Sequence, residues 1–117
     1  MAKILLAEDD QSMRSFLASA LQRAGHDVVS FGDGMSALTR LHEEDFDLLL
    51  ADVVMPGLDG VELARRAGDA RPGLKVMFIT GFAAVALRAR EQPGARILSK
   101  PFHLRELVQE VDAILAA

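Results

Sequence analysis

Apolar residues along this chain follow two alternating patterns. Short apolar runs, which are typical of buried strands, occupy residues 3–7, 28–31, 47–52, 74–80 and 95–99. Between these runs the apolar residues recur at helical spacing, which predicts helices over residues 11–24, 35–44, 59–71, 82–90 and 103–115. The chain is therefore a repeated strand–helix unit, a pattern that predicts one parallel sheet with helices packed on both faces.

Connection rules leave few topologies for such a chain. The commonest is flavodoxin-like, which predicts an α/β doubly wound (βα)5 fold with a five-stranded parallel sheet in the order 2-1-3-4-5. Strands one and three are neighbours in that order, and the chain winds away from them in opposite directions. Ligands of such folds bind in the crevice at the carboxyl ends of these strands, so we expect the functional site there.

Several local expectations follow from the same pattern. Gly25 is suited to cap the end of the first helix. We expect His26 to be solvated and Met55 to point outward from a Pro-Gly loop. The apolar stripe of the first helix, which we expect to face inward, comprises Met13, Phe16, Leu17, Ala20 and Leu21.

Composition narrows the class of protein. A length of 117 residues favours a single domain, here residues 1–117 without an output domain. The net charge of −4 disfavours a nucleic-acid partner, and the absence of cysteine excludes disulfides and thiolate metal sites. No signal peptide or membrane-spanning run is seen, which predicts a cytoplasmic protein without a membrane partner. We expect a monomer or a weak dimer.

Three carboxylates follow the two central strands of the predicted sheet. Glu8 and Asp9 follow strand one, and Asp52 ends strand three. Carboxylates brought together in this way repel one another, so that either one retains a proton or a cation lies among them. Oxygen ligands without His or Cys suit Mg²⁺, which binds readily where a phosphate completes its shell.

The same edge of the sheet supplies the remaining groups for phosphoryl transfer. An aspartate such as Asp52 can attack a phosphoryl group and form an aspartyl phosphate. Thr80 ends strand four and can donate a hydrogen bond to a phosphoryl oxygen, and Lys100 follows strand five and offers a positive charge. Nucleophile, metal ligands, donor and cation are then all present.

The chain resembles a response-regulator receiver domain from end to end. The resemblance is carried by residues 4–10 (ILLAEDD), 52–60 (DVVMPGLDG), 79–81 (ITG) and 100–102 (KPF). It implies that Asp52 is the phosphoacceptor and that Mg²⁺ is bound by Glu8, Asp9, Asp52 and the backbone carbonyl of Val54. It also implies that Thr80 is the switch hydroxyl, that Lys100 binds the phosphate, and that the Lys100–Pro101 bond is cis. A histidine kinase or histidine phosphotransferase would be the phosphodonor.

Two residues depart from the family pattern. Glu8 stands where the first acid is usually Asp, and Ile97 stands where Tyr or Phe is common. Residues 5–10, 79–87 and 98–104 further resemble a group of stand-alone cell-cycle receivers of alphaproteobacteria. That resemblance implies an adaptor that, when unphosphorylated, primes a Clp-type unfoldase–protease. The apolar segment 81–87 is a candidate partner face.

Two other classes compete with an adaptor. A phosphorelay shuttle would only pass its phosphoryl group to another histidine protein. A dehalogenase-type phosphatase would also use an aspartate nucleophile, but it needs a second Asp at the position that Val54 occupies. We therefore expect no enzymatic activity beyond the chain's own phosphorylation and dephosphorylation.

Overall fold

The computed structural model describes residues 2–81 and 94–117. The strands are β1 Lys3–Ala7, β2 Asp27–Phe31, β3 Leu48–Asp52, β4 Lys75–Thr80 and β5 Arg96–Ser99. The helices in the described ranges are α1 Gln11–Arg23, α2 Gly34–Glu43, α3 Gly60–Ala70 and α4 Leu104–Ala116. The helix predicted over residues 82–90, and with it most of the apolar segment 81–87, lies outside the described residues.

All five strands are parallel, in the order β2-β1-β3-β4-β5, which confirms the predicted topology. β1 and β3 are neighbours, with Ala7 opposite Ala51. Asp52 lies opposite Ile79 of β4, and Thr80 lies opposite Ser99 of β5. The residues that end these strands therefore share one edge of the sheet.

Alternating residues of the central strands pack on opposite faces of the sheet. Leu49 belongs to the core under α2 and α3, whereas Leu48 and Leu50 belong to the core under α1 and α4. Each buried leucine stabilises the fold by about 1.5–3 kcal/mol. Because β3 is buried along its whole length, the packing on both faces fixes the position of Asp52 at its end.

Three aspartates cap helices around this edge. The carboxylates of Asp10, Asp33 and Asp59 accept backbone N–H groups from the first turns of α1, α2 and α3, respectively. Asp10 thus has a structural role, although it directly follows the acid pair in sequence. α4 begins after His103, whose side chain makes no capping hydrogen bond.

Three of the local expectations were wrong. Phe16 is 53% exposed because it lies on the flank of the stripe, while Leu17, Ala20 and Leu21 face the sheet. Met55 is only 5% exposed, since it turns inward to the core under α2 and α3. The His26 ring is largely buried: its Nδ1 accepts the Ala2 N–H at 3.2 Å, and its Nε2 lies 3.3 Å from Asp112 Oδ1. Gly25, with φ 98°, follows α1 as predicted.

Candidate functional site

The predicted site residues meet at the carboxyl end of the sheet. Glu8 and Asp9 follow β1, Asp52 ends β3, Thr80 ends β4 and Lys100 follows β5. Glu8 is 1% exposed, Thr80 2% and Asp52 8%, while Asp9 is open to solvent. The result is a crevice with buried acids at its base and Asp9 at its rim.

Three carboxylates form the acidic cluster of the site. Glu8, Asp9 and Asp52 each offer an oxygen, and these three atoms lie within 4.8 Å of one another. Burial raises the pKa of Glu8 to about 7, and the hydrogen bond and negative charge of Asp52 act in the same direction. Lys100 opposes this rise only in part. Hard oxygen donors at this spacing fit a divalent cation such as Mg²⁺.

Lys100 lies against two of these acids. Its Nζ is 3.1 Å from Asp52 Oδ2 and 3.4 Å from Glu8 Oε1. Burial alone would lower the pKa of the ammonium, but the Asp52 hydrogen bond and the two carboxylate charges together raise it. The lysine therefore stays charged and compensates part of the cluster's negative charge. Without a phosphoryl group, the lysine contacts the carboxylates of Asp52 and Glu8.

The backbone joins the strands that carry the hydroxyl and the lysine. The Lys100 N–H donates to the Thr80 carbonyl at 2.8 Å, directly beyond the paired ends of β4 and β5. The Lys100–Pro101 peptide bond is cis, as the family resemblance implied. A backbone hydrogen bond thus links the residue that carries the hydroxyl directly to the residue that carries the ammonium group.

The turn after β3 determines how Asp52 is presented. The Val54 N–H donates to Asp52 Oδ1 at 3.0 Å, and the Gly60 N–H donates to the Val53 carbonyl at 3.0 Å. A Cβ on Gly60 would lie 2.2 Å from the Asp52 carbonyl oxygen, so the start of α3 can approach β3 only with glycine there. The role of the Val54 carbonyl as a metal ligand stays a prediction.

One residue near the cluster was missed by the sequence reasoning. Arg14, in the second turn of α1, donates from Nη1 to the backbone carbonyl of Glu8 at 2.8 Å. A basic residue early in a helix is common and indicates no function by itself. The role of Arg14 becomes visible only in the structure, where its side chain reaches back to the end of β1.

Fold and site together define the class of protein. Acids at the switch point of a doubly wound sheet, with a hydroxyl and a lysine on the next two strands, are a receiver-type arrangement. Residues 4–112 match the family described as "Response regulator receiver domain", and the chain belongs to this family.

Known proteins resemble the chain over its whole length. It is 58% identical to the "Response regulator receiver protein CpdR" of Brucella abortus (strain 2308), covering 100% of this chain and 99% of that protein. The solved receiver domain from the hybrid histidine kinase CckA is 34% identical, with a TM-score of 0.84 over 97% of this chain and 98% of that one. A response regulator receiver protein from Sinorhizobium medicae WSM419 is 30% identical, with a TM-score of 0.91 over 99% and 95%.

One further property concerns membranes. None of the helices in residues 2–81 and 94–117 combines the length and the apolar character that crossing a bilayer requires.

Proposed function

We propose that this chain is a phosphorylatable signalling switch in which Asp52 is the phosphoacceptor. The observation that carries the proposal is the contact between Asp52 and Lys100, 3.1 Å long, with Glu8 and Asp9 beside it in one crevice. A lone buried carboxylate would be costly, and its pairing with a cation at a solvent-facing edge is the arrangement that phosphoryl transfer needs.

In the transfer step, one bond to phosphorus forms and one bond to phosphorus breaks. An Asp52 carboxylate oxygen forms the new O–P bond as the P–N bond of a phosphohistidine breaks, and the imidazole leaves with the electron pair. Glu8, Asp9, Asp52 and the Val54 carbonyl would bind Mg²⁺, which supplies charge neutralisation for the phosphoryl oxygens. Lys100 would exchange its carboxylate contacts for a phosphoryl oxygen, and Thr80 would donate to another.

Phosphorylation would then be read by other proteins. The donor would be a histidine kinase or a histidine phosphotransferase, and likeness to the receiver of a hybrid histidine kinase supports a place in such a relay. The chain would catalyse only its own phosphorylation and dephosphorylation. The Thr80–Lys100 hydrogen bond gives the new charge a route to the surface around β5.

The unphosphorylated form would act as an adaptor for a Clp-type unfoldase–protease. This proposal is supported by the resemblance of residues 5–10, 79–87 and 98–104 to stand-alone cell-cycle receivers and by the 58% identity with CpdR along both chains. A phosphorelay shuttle is the alternative. Both use the same crevice, and they differ in whether the unphosphorylated surface binds an unfoldase.

Labelling with a small phosphodonor tests the proposed switch. The chain is incubated with acetyl phosphate, with Mg²⁺ or with EDTA, and its intact mass is measured. We expect a single phosphoryl group with Mg²⁺, little without it, and none on Asp52→Ala. Asp69→Ala removes an exposed acid on α3 and should be labelled like the parent. Labelling of Asp52→Ala at the parent's rate would refute the proposal.

Affinity capture distinguishes the adaptor from the shuttle. Purified unphosphorylated chain, immobilised on beads, is presented to a purified Clp-type unfoldase, and the same beads are treated with beryllofluoride and Mg²⁺ as a phosphoryl mimic. An adaptor binds the unfoldase before treatment and loses it afterwards. Binding in neither state would exclude the adaptor and leave the shuttle.

A further inference from the structure

Arg14 returns from α1 to the end of β1. Its Nη1 donates to the Glu8 carbonyl at 2.8 Å, and that carbonyl belongs to the peptide that joins Glu8 to Asp9. On the other side of Glu8, the backbone N–H donates to the Phe31 carbonyl of β2 at 3.1 Å. The peptide groups on both sides of Glu8 are thus held, one by the sheet and one by the guanidinium.

The guanidinium occupies a space that Gly32 leaves open. A Cβ built on Gly32 would lie 2.8 Å from Arg14 Nη1 and 3.4 Å from Cζ. Gly32 is not among the glycines with positive φ, so its backbone conformation does not require glycine. The space beside Arg14 is what a larger residue would fill.

We infer that Arg14 is a positioning residue for the acid pair. By fixing the plane of the Glu8–Asp9 peptide, it sets the directions in which the two side chains leave the backbone, and so brings both carboxylates toward Asp52. A guanidinium suits this role because its planar fork is rigid, so that little conformational freedom is lost when one N–H forms a hydrogen bond. The inference rests on the proposed function, since its purpose is to preassemble the Mg²⁺ ligands.

Different variants can separate the effect of the position of the Arg14 guanidinium from the effect of its charge. Arg14→Ala removes both the hydrogen bond and a positive charge near three acids. Gly32→Ala keeps every charge and displaces the guanidinium by contact with the new methyl group. Arg65→Ala removes the same charge from the exposed face of α3, where Arg65 pairs with Glu62, and is therefore a matched control.

The test is Mg²⁺ affinity, measured by titration of ¹H–¹⁵N amide spectra, because the chain contains neither Trp nor Tyr. Loss of a group that orients metal ligands weakens binding by about 10–100-fold. We expect Arg14→Ala to weaken Mg²⁺ binding by about tenfold at the low end of that range and Gly32→Ala to weaken it in the same direction. Arg14→Lys, which retains a donor, should recover part of the affinity, and Arg65→Ala should bind like the parent.

The double variant decides whether the glycine acts through Arg14. In the double variant Arg14→Ala/Gly32→Ala, we expect the same Mg²⁺ affinity as in Arg14→Ala alone, because the guanidinium that the new methyl group would displace is already absent. A further loss in the double variant, or parent affinity in a folded Gly32→Ala, would overturn the inference. A parent chain that shows no Mg²⁺-dependent shifts would instead refute the proposed function. The amide spectra without Mg²⁺ report the fold of each variant directly.

Discussion

At the scale of single residues, Glu8 is a carboxyl that the fold buries beside a second carboxyl. Its pKa rises from the ordinary 4.5 to about 7, first because of burial and then because of Asp52. Protonated Glu8 is compatible with the folded state, whereas the ionised form is better accommodated in the unfolded chain. The metal-free site therefore stores an electrostatic cost that a cation would relieve.

This cost predicts a pH dependence of stability without metal. Below pH 4.5 Glu8 is protonated in both states and has no effect. As pH rises from 4.5 to 7 the unfolded chain loses the proton first, so the free energy of unfolding falls, by about 3 kcal/mol, and levels off above 7. Urea denaturation of the parent and of Glu8→Gln, each in EDTA at a series of pH values, measures this change in the free energy of unfolding. A fall of equal size in Glu8→Gln would assign the effect to other groups.

Val54 controls a different property of the same crevice. Val54 is 44% exposed, and its own backbone N–H donates to Asp52 Oδ1. Its isopropyl side chain has no polar group with which to orient a hydrolytic water. Val54→Asn should accelerate loss of the phosphoryl group, because an amide can position that water. Val54→Ala is the matched control for reduced bulk. Decay rates of phosphorylated protein measure both, and equal acceleration by Ala would show that access, not orientation, matters.

At the scale of elements, the close approach of α3 to β3 depends on Gly60. Its missing Cβ leaves room for the Asp52 carbonyl oxygen, which would otherwise lie 2.2 Å away. Gly60→Ala should therefore destabilise the fold by about 1–3 kcal/mol, the usual cost of overpacking, and disturb Asp52. Gly81→Ala, whose Cβ would meet Lys100 at an ordinary 3.7 Å, should cost less. Equal denaturation midpoints for the two variants would contradict this account of the turn.

The elements were largely predictable from sequence, and the errors have physical causes. Apolar runs located the strands because β3 and most of β4 are buried on both faces. Helical periodicity located α1 but not the edge of its buried face, which excludes Phe16. The inward turn of Met55 and the His26–Asp112 contact join residues far apart in sequence, and no local pattern encodes them.

For the site, the sequence predicted which residues lie together but not how their side chains contact one another. Strand ends bring Glu8, Asp9, Asp52, Thr80 and Lys100 together once the strand order is assumed, because all five strands are parallel. The pairing of Lys100 with both acids, and the reach of Arg14 to the Glu8 carbonyl, depend on side-chain directions. Those directions are set by packing between elements, which periodicity does not report.

At the scale of the whole molecule, Mg²⁺ should stabilise the fold. The native chain assembles three carboxylates that the unfolded chain cannot hold together, so mass action favours folding. At ten times its dissociation constant, Mg²⁺ should add about 1.4 kcal/mol at neutral pH, seen as a higher Tm. Asp9→Asn should reduce this gain and raise the metal-free Tm by removing like charge. A parent Tm that is insensitive to Mg²⁺ would exclude a metal site.

The central claim, that Asp52 receives a phosphoryl group from a P–N bond, is tested most directly by locating the modification. The chain is incubated with phosphoramidate and Mg²⁺, reduced with borohydride to trap the acyl phosphate, digested, and sequenced by mass spectrometry. The account predicts the reduced product at position 52 and at no other acid, with none in a sample held in EDTA. Reduction at Glu8, Asp9 or a distant carboxylate, with Asp52 unmodified, would contradict it.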